Sequence, residues 1–211
     1  MSYSVNELFS LPIFHTNIGV IDKDLLNFIY NNYEFFKEKN DSPCISFYNY
    51  VLEDEKLLDI KKLIAKKLNL FTREVLFVSE EIEFYFSNSW FVIMQNGCSS
   101  QRHNHVNSIL SGVLYLDTPK NSGNIVFYKP EFHFNLFPPH LEFKYTKHNL
   151  INAGTFMITP SAGDLILFPS QIFHKVELNN SEEKRTSIAF NVNVRGDFSS
   201  SDSALSDFKI N

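Results

Sequence analysis

The sequence contains few cysteines and no long apolar segment. Its two cysteines, Cys44 and Cys98, are too few among 211 residues to form a disulfide framework, and such low usage is typical of a reducing compartment. No apolar run approaches the roughly 20 residues of a membrane-spanning helix. Residues 1–14 lack the basic start and the uninterrupted apolar stretch of a signal peptide. We therefore expect a soluble, cytoplasmic protein.

Positive charge is also scarce. Nineteen lysines and arginines face 24 acidic residues, which gives a net charge of −5 at pH 7. A surface that binds nucleic acid or an anionic membrane is normally basic. We therefore expect neither nucleic acid nor a membrane among the partners.

Glycine is scarce as well, whereas large aromatic residues are abundant. The chain has seven glycines against 22 phenylalanines and nine tyrosines, and 44% of its residues are hydrophobic. Aromatic residues favour strands and bring a large apolar area to a core. The composition predicts one domain, residues 1–211, with a β-rich core.

The N-terminal part, residues 1–79, is predicted to contain a strand and two helices that support this core. The strand lies at about residues 8–14, where Pro12 restricts it to a sheet edge. The first helix has Asp22 as N-cap, and its apolar residues recur at helical spacing as far as Phe36. The second helix runs from about residue 54 to 70 and can extend to residue 75.

From residue 80 the apolar residues alternate, which indicates strands. About eight closely spaced strands over residues 80–195 predict an antiparallel β-barrel or jelly roll backed by the two helices, so the fold class is mainly β with flanking helices, α+β. The turn at residues 121–124 predicts a hairpin between its flanking strands. Residues 129–150 are predicted to be an aromatic insertion over the barrel mouth, and residues 196–211 a flexible tail.

Three histidines form a candidate metal site. His103 and His105 share one face of an extended segment, so their imidazoles can bind the same ion. His174 begins another strand, and a jelly roll brings distant strand ends to one mouth of the barrel. Three protein ligands leave coordination positions open, which is typical of a catalytic site. Cys98 lies nearby in sequence and is an alternative ligand, although a buried cysteine more often packs as a small apolar residue.

A candidate carboxylate receptor lies on the last strand. Arg185 and Ser187 alternate with Ala189 on one face, and an inward guanidinium pairs bidentately with a carboxylate. Burial of such a charge is costly unless it is paired, so a ligand carboxylate is a natural partner. The Tyr115 hydroxyl can donate to the same carboxylate.

These motifs, in this order, resemble the Fe(II)/2-oxoglutarate-dependent oxygenases, and in particular a subgroup of small proteins from marine bacteria and their phages. The resemblance covers roughly residues 80–195 and rests on the ordered segments Trp90…Gly97…His103-x-His105…Ser111-Gly112-Val113-x-Tyr115, Gly163-Asp164…Phe168-Pro169-Ser170…His174 and Arg185-x-Ser187-x-Ala189-Phe190-Asn191.

The resemblance implies a double-stranded β-helix that hydroxylates a substrate with release of succinate and CO₂. It implies that His103, His105 and His174 bind Fe(II), and that Arg185, Ser187 and Tyr115 bind the co-substrate 2-oxoglutarate. Expected partners are O₂ and a small-molecule, amino-acid or peptide substrate, whereas the oligomeric state stays open. In a phage-encoded protein the compartment would be the host cytoplasm.

The sequence departs from the superfamily at one ligand. The usual pattern is His-x-Asp/Glu, but the second position here is His105, and no acidic residue lies between Cys98 and Leu116. Either His105 replaces the carboxylate, or a remote acid such as Asp164 or Glu177 contributes.

Two other interpretations remain. One is a cupin-like metalloprotein with three histidines that does not use 2-oxoglutarate. The other is a non-catalytic, ligand-binding or virion-associated relic of the fold. The Arg185 receptor favours the oxygenase over the cupin-like protein, and the intact histidines favour either enzyme over the relic. His15, His133, His140 and His148 are expected not to be ligands.

Overall fold

The computed structural model describes residue 4 and residues 10–19, 21–130, 143–198 and 209–210. Within these ranges the chain forms two α-helices and eleven strands. The helices are α1 (Lys23–Asn32) and α2 (Leu58–Leu70). The strands are β1 (Phe14–Asn17), β2 (Phe35–Lys37), β3 (Cys44–Ser46), β4 (Ile82–Met94), β5 (Leu110–Asp117), β6 (Ile125–Tyr128), β7 (Thr155–Ile158), β8 (Asp164–Pro169), β9 (His174–Val176), β10 (Arg185–Asp197) and β11 (Lys209–Ile210).

Helix α1 begins as predicted but ends early. The Asp22 side chain accepts a hydrogen bond from the backbone N–H of Asp24 and caps the first turn. The predicted continuation to Phe36 is wrong, because Tyr33 takes an extended conformation and Phe36 lies in β2, which pairs with β3. Strand pairing therefore overrides the helical spacing of the apolar residues.

The second helix lies where the sequence predicts it. Short 3₁₀ turns at Val51–Glu53 and Glu55–Leu57 precede α2. A π-helical turn at Phe71–Val75 continues it, which confirms the predicted extension to residue 75.

Two sheets face each other. The larger has the order β1-β8-β5-β10-β4-β3-β2, with β11 added beside β10, and the smaller has the order β7-β6-β9. Strand β1 lies at a sheet edge as predicted, although it begins at Phe14 rather than near residue 8. The predicted β-rich core with two N-terminal helices is confirmed.

The predicted hairpin between β5 and β6 is wrong. Strand β5 already has β8 and β10 as neighbours in the larger sheet, whereas β6 pairs with β7 and β9 in the smaller one. The turn at residues 121–124 is present, with positive φ at Asn121 and Gly123. It carries the chain from one sheet to the other.

The two faces of the larger sheet pack on different cores. The outer face packs against α1 and α2 through buried residues such as Ile29, Ile64 and Phe190. The inner face and the smaller sheet enclose a second cluster that contains Tyr115, Ile125, Phe127, Ile166, Phe168 and Ile172. The space between the sheets is therefore lined by large apolar side chains, and the candidate site opens from it.

Some predicted features lie wholly or partly beyond the described ranges. Residues 131–142, with His133 and His140, fall outside them, as do residues 199–208 of the predicted tail. Among the residues that the structure describes, no helix is long and apolar enough to span a membrane.

Candidate metal and co-substrate site

Backbone hydrogen bonds hold the His-x-His segment against the start of β9. His103 and His174 form an isolated antiparallel bridge in which each N–H donates to the carbonyl of the other, at 2.9 and 2.8 Å. The N–H of His105 donates to the carbonyl of Ser170 at 3.0 Å. Residues 71 positions apart in the sequence are thereby fixed side by side.

The three histidine rings converge. Their centroids are 4.4 Å apart for His103 and His174, 5.2 Å for His105 and His174, and 5.4 Å for His103 and His105. One ligand atom of each ring lies within 4.8 Å of the others. Exposure decreases from His103, which faces solvent, to the buried His174. The cluster is therefore open on one side and can hold one ion there.

The hydrogen bonds of the rings select the atoms that face the cluster. Nδ1 of His103 lies 2.8 Å from the carbonyl of Gln101, and Nδ1 of His174 lies 3.1 Å from the carbonyl of Ile172. Nδ1 of His105 lies 2.5 Å from Oδ1 of Asn191. Each partner is an acceptor, so each Nδ1 carries the proton and each Nε2 keeps its lone pair for a metal ion.

Electrostatics favour neutral imidazoles in the cluster. Burial, together with the neighbouring His103 and His105, lowers the pKa of His174 to about 3, against the opposing effect of its hydrogen bond to the Ile172 carbonyl. Burial also lowers the pKa of His105, whereas its hydrogen bond to Asn191 opposes that shift. Neutral imidazole is the form that binds a metal ion. The donor set therefore fits a divalent ion.

Arg185 and Tyr115 lie together between the sheets with donors unused. Both are almost fully buried, and the Arg185 guanidinium lies 4.7 Å from the centre of the Tyr115 ring. Arg185 Nη1 donates to the carbonyls of Ser122 and Gly123 at 3.2 and 2.8 Å. Among the described residues, neither Nε of Arg185 nor the Tyr115 hydroxyl has a hydrogen-bond partner.

Two unsatisfied buried donors are unusual, because each costs on the order of 1–3 kcal/mol when it is left unpaired. Burial is the largest cause that lowers the pKa of Arg185 and raises that of Tyr115, and the proximity of the two groups opposes both shifts. An anionic oxygen ligand between them would satisfy both donors. The arrangement therefore fits a carboxylate.

The predicted face of β10 is confirmed. Ser187 pairs in register with Tyr115, and Ala189 pairs with Val113, so both lie on the inner face together with Arg185. Ser187 is buried beside the receptor. The structure thus brings Arg185, Ser187 and Tyr115 together on one side of the inter-sheet space.

An apolar side chain connects the two groups of residues. Phe168 packs in the inner core with Tyr115. Its ring centre also lies 4.8 Å from that of His174 and 6.5 Å from that of His105. Phe168 therefore packs against the histidine cluster and belongs to the same core cluster as Tyr115.

The alternative ligands lie elsewhere. Cys98 is buried and, among the described residues, the metal-ligating group consists of the three histidines alone. Asp164 accepts from Asn17 Nδ2 at 2.9 Å and pairs with His15 at 3.2 Å. Glu177 accepts from Asn124 Nδ2 at 2.8 Å. No described acid therefore replaces the carboxylate at the second position.

Sequence reasoning gave no individual role to the residues around His105. Asn191, Ser111 and Ser170 form a buried hydrogen-bonded group behind its ring. Trp90, the one tryptophan of the chain, also lies near this histidine, with its ring centre 5.8 Å from that of His105. Residues along β5 and β10 alternate between the two faces, and this alternation places Ser111 and Asn191 on the inner face. That pattern could have identified both residues from the sequence.

The core of the chain matches a protein family. Residues 88–191 match a family model described as "Putative 2OG-Fe(II) oxygenase". The matched range contains the three histidines and the Arg185 receptor. No curated protein matches the sequence significantly.

Solved structures share the fold at low sequence identity. A prolyl-4-hydroxylase from Pseudomonas putida is 17% identical, with 87% of this chain and 94% of that chain covered and a TM-score of 0.55. HygX from Streptomyces hygroscopicus, solved with nickel, 2-oxoglutarate and hygromycin B, is 9% identical, with 87% and 83% covered and a TM-score of 0.58. The α-ketoglutarate-dependent epimerase SnoN from nogalamycin biosynthesis is 14% identical, with 88% and 81% covered and a TM-score of 0.60. The predicted double-stranded β-helix is thereby confirmed.

Proposed function

We propose that this chain, whose residues 88–191 belong to the 2OG-Fe(II) oxygenase superfamily, is an Fe(II)- and 2-oxoglutarate-dependent dioxygenase that hydroxylates its substrate and releases succinate and CO₂. The observation that carries the proposal is the pair of unused buried donors, Arg185 Nε and the Tyr115 hydroxyl, which the core around Phe168 links to three converging histidines. A metal site alone would not require a second, anion-binding group.

In this proposal Nε2 of His103, His105 and His174 hold Fe(II). The backbone bridge between His103 and His174 keeps two of the rings in place, and the Nδ1 hydrogen bonds keep all three in the ligating tautomer. When bound, the metal with its co-substrate supplies the oxidising chemistry. The chain contributes three neutral ligands, so the dianionic co-substrate would balance the metal charge.

Arg185, Tyr115 and Ser187 would bind the distal carboxylate of 2-oxoglutarate. The guanidinium is held by the carbonyls of Ser122 and Gly123, which fixes its orientation before the ligand arrives. The buried hydroxyl of Tyr115 would donate to the same carboxylate. Such preorganisation reduces the entropy that binding would otherwise lose. The receptor thereby orients the co-substrate toward the histidines.

The substrate would reach the site on the solvent side of His103. Trp90 and Val113 on the inner face keep partial exposure, so an apolar or aromatic wall remains available there. A small molecule, an amino acid or a peptide is compatible with this opening. The two free cysteines favour a reducing compartment, and we infer a cytoplasmic enzyme.

One observation favours a second candidate, a three-histidine dioxygenase that does not use 2-oxoglutarate. Among the described residues, the metal-ligating group contains no carboxylate. That enzyme would have no use for the unpaired Arg185 and Tyr115 donors, so the first candidate explains more of the site.

Succinate formation tests the proposal. The protein loaded with Fe(II) should convert 2-oxoglutarate to succinate and CO₂ in air, slowly alone and faster with a substrate from a panel of peptides, amino acids and cell extract. Oxidation of a panel compound without 2-oxoglutarate would favour the second candidate. Failure to bind a metal ion would contradict both candidates, whereas failure of the metal-loaded protein to bind 2-oxoglutarate would contradict the first.

A further inference from the structure

His105 depends on a side chain for its orientation, whereas the other two histidines depend on the backbone. The Nδ1 atoms of His103 and His174 are held by the carbonyls of Gln101 and Ile172. Nδ1 of His105 is held by Oδ1 of Asn191, at 2.5 Å, from a strand 86 positions further along the chain. The ligand that departs from the superfamily pattern is thus also the one whose support can be changed by substitution.

Asn191 is itself fixed by a buried group of hydroxyls. The Ser111 hydroxyl donates to Oδ1 of Asn191 at 2.9 Å and also lies 3.0 Å from Nδ1 of His105. Ser170 Oγ lies 2.8 Å from both Ser111 Oγ and Ser108 Oγ. Ser111 and Ser170 are fully buried. A buried hydrogen-bonded network of this kind restricts the arrangement of its members.

The backbone of β10 holds Asn191 on the inner face of the larger sheet. Asn191 pairs in register with Ser111 of β5, and regular alternation places it on the same face as Ser187. The register between β10 and β4 shifts just beyond Asn191, where β4 has Ser87 as an extra residue. Strand alternation and the polar network therefore both direct Asn191 toward His105.

We propose that Asn191 is the positioning residue of His105: its amide oxygen accepts the Nδ1 proton, fixes the tautomer with Nε2 free and holds the ring toward the other two histidines. The role in metal binding rests on the proposed three-histidine site. The role in tautomer selection does not, because the hydrogen bond exists without an ion.

Four variants separate this role from a merely structural one. Asn191→Ala removes the acceptor, and Asn191→Asp keeps its shape but adds charge. Asn191→Ala/Ser111→Ala also removes the hydroxyl that could substitute as acceptor. Asn88→Ala is the matched control, because Asn88 faces Asn191 in the register of β4 and β10, and its amide oxygen accepts from Ser87.

The first readout is the tautomer of His105 in the metal-free protein, measured by long-range ¹H–¹⁵N correlation. The parent and Asn88→Ala should show a proton on Nδ1. Asn191→Ala should populate the form with a proton on Nε2, and the double variant should do so more completely. A proton on Nε2 in the parent, or an unchanged tautomer in the double variant, would overturn the proposal.

The second readout is Co(II) affinity, followed by quenching of Trp90 fluorescence beside His105. Asn191→Ala and the double variant should bind about 10–100-fold more weakly than the parent, the usual effect of removing a partner of a ligating histidine. Asn191→Asp should bind at least as tightly as the parent, because it creates a carboxylate–histidine–metal arrangement.

Parent-like affinity in both Asn191→Ala and the double variant would overturn the positioning role. Weak binding by Asn191→Asp, with a parent-like melting curve, would also overturn it, since the acceptor is retained there. If the parent itself does not bind Co(II), the proposed function falls, whereas the tautomer measurement still decides the role of Asn191.

Discussion

At the scale of single residues, Arg185 is a buried charge whose partners are two backbone carbonyls. Truncation of one member of a buried charge pair costs about 2–5 kcal/mol, and each 1.4 kcal/mol is tenfold in affinity. We therefore expect Arg185→Ala to raise the dissociation constant of 2-oxoglutarate about 30-fold or more. Ser187→Ala and Tyr115→Phe should each cost about 1 kcal/mol. Titration of the metal-loaded protein, followed by Trp90 fluorescence, measures each loss.

Arg195 provides the matched control for Arg185. It lies on the same strand, and its guanidinium pairs with Glu83 at the surface, at 2.7 and 2.8 Å. Arg195→Ala should leave 2-oxoglutarate affinity unchanged. Equal affinities in the parent and in Arg185→Ala would rule out this receptor.

The histidines give a second residue-scale prediction. His103→Ala, His105→Ala and His174→Ala should each weaken Fe(II) binding while the protein stays folded, because each removes one ligand from an open cluster. His105→Asp should retain or improve binding, since it restores the superfamily's carboxylate. Anaerobic titration measures the affinity, and His148→Ala, which changes an exposed histidine beside Tyr145, is the control. Parent-like Fe(II) affinity in His105→Ala would show that the second position is not a ligand.

At the scale of elements, the two faces of β5 pack against different groups. Its inner face carries Ser111 and Tyr115, whereas Gly112 faces the helix side, where Phe190 packs against it. A Cβ at Gly112 would lie 2.2 Å from Cζ of Phe190 and 2.8 Å from Cδ2 of Leu167, both fully buried residues. We expect Gly112→Ala to lower the free energy of unfolding by about 1–3 kcal/mol.

Urea unfolding followed by circular dichroism measures this loss. Gly154→Ala is the matched control, because a Cβ there would have no atom within 4 Å. The control should differ little from the parent. A stable Gly112→Ala protein would mean that Phe190 can move, and that the contact does not hold β5 and β10 together.

The elements that sequence reasoning predicted well are those with strong local signals. Strands β4, β5, β8 and β10 have apolar alternation or apolar runs, and α2 has helical spacing over several turns. The errors arose where pairing between strands that are distant in the sequence decides the structure. The end of α1 depends on the pairing of β2 with β3, and the path after β5 depends on which strands already flank it.

The candidate site was predicted in part for a related reason. The positions of the three histidines, Arg185 and Tyr115 followed from alternation and from a family resemblance. The hydroxyl network behind His105 could not be predicted in the same way. Serines and asparagines occur throughout the chain, and only tertiary geometry shows which of them meet.

At the scale of the whole molecule, the histidine cluster should make the metal-free protein sensitive to acid. The pKa of His174 is lowered to about 3 in the folded chain, whereas an unfolded histidine has a pKa of about 6.5. Between these values the unfolded state binds more protons, so stability falls as the pH decreases from about 6.5. The slope reaches about 1.4 kcal/mol per pH unit for each such histidine.

Urea unfolding with a chelator present, between about pH 4.5 and 7, measures this slope above the range in which most carboxylates titrate. His174→Gln should flatten the slope, and His148→Gln, at an exposed position, should not. An identical slope in the parent and in His174→Gln would show that the buried imidazole does not govern the acid sensitivity.

The central claim is that one cavity holds a metal ion on three histidines and a dicarboxylate on Arg185. A crystal structure with Mn(II) and N-oxalylglycine, an unreactive analogue of 2-oxoglutarate, tests it most directly. We predict Mn(II) on Nε2 of His103, His105 and His174, with the distal carboxylate on Arg185 Nε and the Tyr115 hydroxyl. An ion bound without His105, or an analogue whose carboxylate does not contact Arg185, would contradict the claim.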